Sequence, residues 1–253
     1  MRAQKLQIFD SHFHIINPQF PLFPNHGYLP PAFTLDDYRR ELQNYQLVGG
    51  AVVSGSFQRQ DQAYLIDALA KLGENYVGVT QLSANTPDTV ILSLHKHGVR
   101  ALRFNLVRGS SEQVDCLDSL ARRVFELAGW HVELYIESSA LDRLYNKLIA
   151  LPALSIDHMG LSKRGFPTIL KLAEKGVKVK ASGFGRLDFD PAVAVLELCQ
   201  ANPSCLMFGS DLPSTRAPRP FKPEDILLIH DSLDESLAEK VLVKNAFQFY
   251  LKK

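Results

Sequence analysis

Three histidines and one aspartate stand out because their side chains can bind a metal ion or move a proton. His12 and His14 alternate in the segment FDSHFH, so both imidazoles face the same side of a β-strand. His158 lies in IDHMG, and Asp211 lies in FGSDLP. Imidazole nitrogen and carboxylate oxygen suit zinc or a similar divalent ion, and a carboxylate can act as a general base toward water. These four residues are the candidate catalytic residues.

A second set of polar residues could bind an anionic substrate. Arg103 and Asn105 alternate with apolar residues in RALRFNLV, so we expect them to face the protein interior. A guanidinium there needs an anionic partner, which is either a substrate carboxylate or an internal carboxylate such as Glu137. Arg186 follows SGFG in a loop, and both contact with the substrate and a structural role are kept as alternatives for it. Tyr135 faces the same way as Glu137, so its hydroxyl could reach a substrate or the candidate aspartate.

The elements that must position these residues alternate regularly along the chain. Short apolar or β-branched runs predict eight strands, and stretches with helical spacing of apolar residues lie between them. The predicted strands are 7–15, 50–56, 76–82, 99–106, 131–137, 154–159, 177–183 and 205–211. The predicted helices include 34–47, 61–72, 111–128, 140–151, 166–176 and 191–200, with a long helical region at 223–250.

This alternation predicts a (β/α)8 TIM barrel that forms a single domain over residues 1–253. A doubly wound open sheet is the alternative, but no GxGxxG motif follows the first strand. The candidate residues lie at the ends of predicted strands, where barrel enzymes build their sites. Two proline-rich loops, 17–33 and 213–223, also follow strand ends, so we expect them to rim the same pocket, as substrate contacts or as a plug of the barrel end.

Composition excludes several classes of partner. The chain has 28 Lys and Arg residues against 27 Asp and Glu residues, a net charge of +1 that gives no reason to expect nucleic acid or an anionic membrane. No apolar run is long enough to span a bilayer. Three cysteines form neither a disulfide framework nor a CxxC site, and the N-terminus lacks an apolar signal segment. We therefore expect a cytoplasmic protein with a small-molecule substrate, and its oligomeric state is open.

The motifs, taken together, resemble the amidohydrolase superfamily, and within it the amidohydrolase-2 branch that includes pyrone-dicarboxylate and sugar lactonases. The resemblance rests on FDSHFH (9–14), RALRFNLV (100–107), GWHVELYIE (129–137), IDHMG (156–160), KASGFGRL (180–187) and FGSDLP (208–213). These segments occur in the family's order and cover the chain from end to end.

The resemblance implies roles for the candidate residues. His12, His14 and His158 would line the site, and Asp211 would activate water to attack a lactone or ester carbonyl. Arg103 and Arg186 resemble the family's carboxylate-binding arginines. One zinc ion held by His12, His14 and Asp211 is one form of the site, and a metal-free form is the other. A binuclear centre is not expected, because strand five ends Tyr135-Ile136-Glu137.

This sequence also departs from the lactonase pattern at three positions. Phe57 stands where a tyrosine is typical, Arg108 is a displaced second arginine beyond strand four, and Ser214 stands where a histidine often follows. We therefore keep three functions open. The first is a hydrolase that opens a small carboxylated or hydroxylated lactone or ester. The second is a metal-dependent decarboxylase of a small aromatic or unsaturated acid, and the third is a non-catalytic barrel that binds carboxylates.

Four further histidines and one lysine are expected to lie outside the catalytic machinery, His95 and His97 as surface residues and the others as structural ones. His95 and His97 sit two apart on a predicted helix and so face different directions. His131 begins a strand and His230 lies in the last helical region, so both are away from the C-terminal strand ends where the site is expected. Lys180 is expected to pair with Asp10 or Glu133 in a buried network.

Overall fold

Eight parallel strands form the sheet of a computed structural model that describes residues 5–108 and 112–251. Each strand pairs with the next in chain order, from β1 to β8. The strands are β1 Gln7–Phe13, β2 Gln46–Val53, β3 Tyr76–Thr80, β4 Val99–Asn105, β5 His131–Tyr135, β6 Leu154–Ile156, β7 Lys178–Ala181 and β8 Leu206–Phe208. The predicted eight-stranded α/β barrel is confirmed.

The first and last strands meet through hydrogen bonds just beyond the end of β8. Asp211 N donates to His12 O at 2.7 Å, and His14 N donates to Leu212 O at 2.8 Å. Lower in the barrel, Ser11 Oγ donates to Phe208 O at 2.6 Å. The bonds that close the barrel therefore also place Asp211 beside the two histidines of β1.

Helices cover the outside of the barrel between the strands. They are α1 Leu35–Glu41, α2 Ala63–Leu72, α3 Asp88–Lys96, α4 Glu112–Asp115, α5 Leu117–Ala128, α6 Leu141–Ile149, α7 Phe166–Glu174, α8 Pro191–Ala201, α9 Glu224–Ser232, α10 Glu235–Glu239 and α11 Asn245–Leu251. Thr34 caps α1 in a reciprocal bond pair with Asp37, and Gly129 ends α5 in the left-handed conformation. Among the helices that the structure describes, none is long and apolar enough to cross a membrane.

Several predicted boundaries were wrong, and the reasons are local. The helix predicted over 34–47 ends at Glu41, because Gln46 and Leu47 pair with Gln7 and Ile8 in the sheet. At these positions, pairing with the neighbouring strand determines the structure, although the apolar residues are spaced as in a helix. The helix predicted over 111–128 is divided at Cys116, and its first residue, Ser111, lies outside the described residues.

The C-terminal half also departs from simple elements. The helical region predicted over 223–250 is broken after Ser232, where Asp234 caps the next helix, and it contains a π-helical turn at Lys240–Lys244. Strands β6 and β8 are only three residues long. As a result His158 and Asp211 lie in turns beyond their strands rather than within them.

Candidate active site

The four candidate catalytic residues meet at the C-terminal end of the barrel. The Nε2 atoms of His12, His14 and His158 lie 3.8, 3.7 and 3.7 Å from Asp211 Oδ1. All four residues are buried, and all except His12 also line an open cavity. Three imidazoles thus surround one carboxylate oxygen at distances just beyond a hydrogen bond.

The backbone turns sharply to bring two of these residues inward. His158 has φ of 51° and Asp211 has φ of 60°, both in the left-handed region that L-residues rarely occupy. Strained backbone of this kind is typical of sites whose surroundings impose the conformation. Gly183 has φ of 59°, and a Cβ placed there would lie 2.7 Å from His158 Nδ1. Only glycine at this position leaves room for the imidazole.

We predict that Gly183→Ala lowers catalytic efficiency by about 10-fold or more, because a displaced imidazole loses its alignment with the reactants. Gly129→Ala is the matched control. Gly129 is also left-handed, with φ of 66°, but its Cβ would meet nothing within 4 Å. Both variants carry a similar backbone cost of about 1–2 kcal/mol, which thermal unfolding measures. Equal activity of the two variants would contradict this role of Gly183.

Hydrogen bonds at Nδ1 orient the histidine rings. His14 Nδ1 lies 2.7 Å from Val53 O, and because a carbonyl only accepts, Nδ1 carries a proton; the tautomer this selects has its lone pair at Nε2. His158 Nδ1 lies 2.9 Å from Ser182 Oγ. Burial lowers the pKa of His12 to about 3 and holds the pKa of His158 well below its usual value. Both of these rings are therefore neutral.

Asp211 is ionised despite its burial. Burial by itself would raise its pKa, but His158 and the Arg186 guanidinium lower it by more, so the pKa lies well below the ordinary value. Arg186 Nε donates to Asp211 Oδ2 at 2.8 Å, and Arg186 Nη2 donates to Thr215 O at 2.9 Å. Arg186 thus fixes one carboxylate oxygen and leaves the other facing the histidines.

The donor atoms in this cluster fit a divalent cation. Among the described residues, His12 Nε2 and Asp211 Oδ1 are buried without a hydrogen-bond partner. The donor atoms of His12, His158 and Asp211 lie within 4.8 Å of one another. Tetrahedral zinc holds such donors about 3.4 Å apart, so these donor atoms would need to move only slightly closer together to bind the ion. This group contains His158 in the place that the sequence assigned to His14.

Arg103 has a structural partner that differs from the expected one. Its Nε donates to Asp157 Oδ2 at 3.0 Å and its Nη1 donates to Ser54 O at 3.1 Å, so the internal carboxylate is Asp157 rather than Glu137. Arg103 still lines the cavity, together with Asn105 and Tyr135. All three expected substrate-binding residues of β4 and β5 therefore face the pocket.

Both proline-rich loops rim this pocket, as expected. Asn25 and Tyr28 contribute from loop 17–33, and Thr215 and Arg216 contribute from loop 213–223. The Arg216 guanidinium stacks on the Tyr28 ring at 4.4 Å and donates to the Asn25 backbone carbonyl and to Asn25 Oδ1. The empty space in and around this cavity amounts to about 430 Å³, a figure that includes open solvent at the mouth.

Four arginines line the cavity, and Arg108 and Arg216 differ from the other two because they have no carboxylate partner among the described residues. Arg103 and Arg186 are each paired with a buried carboxylate. Among the ion pairs of the described residues, none involves Arg108 or Arg216. Burial lowers the pKa of Arg108, and the positive charges of Arg216, Arg186 and Arg103 contribute to the same lowering. The wall therefore carries two positive charges that an anionic ligand can neutralise.

Sequence reasoning missed two residues that contribute to the site. Asp157 was missed, although its place beside His158 in IDHMG could have drawn attention. Arg216 was noted only as part of a loop. The four discounted histidines line no part of the cavity. Trp130 Nε1 donates to His95 Nδ1, His131 contacts Glu133, and the ring of His230 contacts Asp231.

A parallel eight-stranded barrel with a histidine and aspartate cluster at its C-terminal mouth defines a (β/α)8-barrel enzyme. The chain belongs to the amidohydrolase family, whose model matches residues 9–251. It is 26% identical to the 2-pyrone-4,6-dicarboxylate hydrolase of Comamonas testosteroni, over 95% of this chain and 89% of that protein. It is 25% identical to the 4-sulfomuconolactone hydrolase of Rhizobium radiobacter, over 96% and 89%. The expected enzyme class, a hydrolase of the amidohydrolase superfamily, is confirmed.

Solved structures have the same fold. A putative 2-pyrone-4,6-dicarboxylic acid hydrolase from Pseudomonas putida superposes with a TM-score of 0.79 at 25% identity, over 97% of each chain. A probable hydrolase of the same acid from Acinetobacter baumannii, solved with citric acid bound, gives a TM-score of 0.81 at 22% identity, over 96% of this chain and 98% of that one. The second likeness supports the fold alone.

Proposed function

We propose that this protein opens a small lactone that carries anionic groups, by attack of water on the ring carbonyl. The observation that carries the proposal is the ionised Asp211, with one oxygen held by Arg186 and the other facing three imidazoles at a cavity mouth. The names of the two sequence relatives specify a pyrone dicarboxylate and a sulfonated lactone as substrates. Both names agree with a cavity wall that contains two arginines, Arg108 and Arg216, without a carboxylate partner among the described residues.

In this mechanism Asp211 acts as the general base. A water molecule between Asp211 Oδ1 and His14 Nε2 would give one proton to the carboxylate while its second hydrogen bonds to the imidazole lone pair. The water oxygen forms a bond to the lactone carbonyl carbon, and the ring oxygen then leaves with a proton from Asp211. Without a metal ion, Ser182 can donate to Nδ1 of His158, which leaves Nε2–H to stabilise the developing oxyanion; with an ion bound, the ring would take the other tautomer, with Nδ1–H donating to Ser182 Oγ.

A single divalent ion is the proposed cofactor, with zinc as the first candidate. His12, His158 and Asp211 would hold it, and His14 is the remaining neighbour. When bound, such an ion polarises a carbonyl and lowers the pKa of water. Elemental analysis of the purified protein tests this assignment separately from turnover.

We also propose that the protein acts on its small-molecule substrate in the cytoplasm, which rests on the cysteine pattern of the sequence alone.

The substrate's second anionic group is proposed to bind Arg216, beside Arg108. Arg216→Gln should raise KM by on the order of 10-fold for lactones with two anionic groups, because a charged hydrogen bond contributes about 1.5–3 kcal/mol. Its effect on lactones with one anionic group should be small. Arg59→Gln is the matched control, since Arg59 stacks on Phe23 at 4.4 Å in the same manner but does not line the cavity. Equal KM changes for both lactone classes would count against this subsite.

The proposal is tested by proton release across a panel of carboxylated, sulfonated and neutral lactones, with added zinc and with a chelator. We expect saturable ring opening of the anionic lactones, with one proton per product carboxylate formed. Release of carbon dioxide from aromatic or unsaturated acids, without ring opening, would instead identify a decarboxylase. Tight binding of carboxylates without any turnover would identify a non-catalytic barrel.

A further inference from the structure

A buried lysine lies below the mouth of the barrel, outside the mechanism derived above. Lys180 is on β7, its side chain is fully buried, and it is among the largest fully buried side chains of the described chain. A buried ammonium is stable only with close anionic or hydrogen-bonding partners. The identity of these partners indicates what the lysine does.

The Lys180 ammonium sits within a set of groups that could themselves hold a metal ion. It hydrogen-bonds to Glu133 Oε2, lies 3.4 Å from Asp157 Oδ1, and lies 3.3 Å from His12 Nδ1. Donor atoms of the same three residues lie within 4.8 Å of one another. Asp157 Oδ1 is buried and has no hydrogen-bond partner among the described residues. This second donor group lies on the opposite side of the His12 ring from Asp211.

The charges in this layer balance only when the ammonium is present. Glu133 and Asp157 contribute two negative charges, and Lys180 and Arg103 contribute two positive charges. A divalent ion added beside Lys180 would leave excess positive charge away from water, which is strongly unfavourable. Without the lysine, two carboxylates and one guanidinium give the layer a net charge of −1, so a divalent ion would leave it at +1 rather than +2.

We propose that Lys180 is a positioning residue whose ammonium fills a second cation position in the barrel, so that of the two donor groups in the described residues only the mouth site is open to a metal ion. From this position the ammonium holds Asp157, which in turn contacts both His12 Nδ1 and Arg103 Nε. Through Asp157 the lysine helps to hold the His12 ring and the Arg103 guanidinium, and Arg103 lines the cavity. This inference concerns ion binding and does not depend on the identity of the substrate.

Zinc stoichiometry after equilibrium dialysis against buffered zinc tests the proposal. Lys180→Met keeps the length of the side chain and removes its charge, and it should bind one more zinc ion per chain than the unmodified protein. Lys178→Met is the matched control on the same strand, because Lys178 donates to Ser204 O and contacts none of the three donors. It should bind the same number as the unmodified protein.

A double variant distinguishes a specific second zinc site from a general loss of structure. Lys180→Met combined with Glu133→Gln restores the charge balance, and its zinc count should return to that of the unmodified protein. An unchanged count for Lys180→Met, or an extra zinc retained by the double variant, would overturn the proposal. If Lys180→Met is unfolded without metal, zinc should restore its thermal transition. Failure of zinc to do so would equally overturn the proposal.

Discussion

Asp211→Asn should reduce lactone hydrolysis by about 10²- to 10⁴-fold, the contribution typical of a positioned general base. Asparagine has nearly the same shape and can still bond to Arg186, but it cannot accept a proton from water. The binding constant for the intact lactone should change far less than kcat, because the arginines that bind the substrate anion remain. Steady-state rates and calorimetric binding measured on the same preparation separate these two effects.

Asp88→Asn is a suitable control for this substitution. Asp88 also pairs with an arginine, Arg123, but it is half exposed and does not line the cavity. Its removal should leave hydrolysis close to that of the unmodified protein. Full hydrolytic rate in Asp211→Asn on an identified substrate would show that another group acts as the base.

Arg186→Met is expected to have the second largest effect. The pair that it forms with Asp211 is buried on both sides, and loss of one partner from such a pair costs about 3–5 kcal/mol. That cost falls on folding stability, and kcat/KM should fall separately, by on the order of 10²-fold, because Asp211 loses the bond that aligns it with the reactants. Removal of the guanidinium also raises the pKa of Asp211, so protonation of the base begins at a higher pH. The acidic limb of the pH–rate profile should therefore move to higher pH.

Two comparisons test the cause of this effect. Arg186→Lys retains the charge, so its pH–rate profile should lie closer to that of the unmodified protein. Arg219→Met removes another ion-paired arginine, whose partner is Asp225, but this arginine does not line the cavity. It should change neither the rate nor the profile. An unshifted acidic limb in Arg186→Met would argue against electrostatic control of Asp211 by Arg186.

The sequence predicted the barrel and the convergence of its four candidate residues because both follow from simple periodicities. Alternation in FDSHFH places His12 and His14 on one face, and parallel strands bring their C-terminal ends together. The same alternation places Asp157 and His158 on opposite faces. In the structure both side chains reach the interior, because β6 ends at Ile156 and His158 adopts a left-handed conformation.

The carboxylate partners of the arginines could not be predicted from the sequence, for a different reason. Arg103 and Asp157 are 54 residues apart, and Arg186 and Asp211 are 25 residues apart. Which carboxylate each guanidinium meets depends on the stagger of the strands and the path of the loops. The stacking of Arg216 on Tyr28 depends on two irregular loops, for which no periodic rule exists.

A crystal structure of the Asp211→Asn variant with an intact lactone is the most direct test of the central claim. The account predicts the ring carbonyl beside residue 211 and the imidazoles of His12, His14 and His158, with an anionic group against Arg108 or Arg216. A lactone bound elsewhere, or a carbonyl turned away from residue 211, would contradict the account.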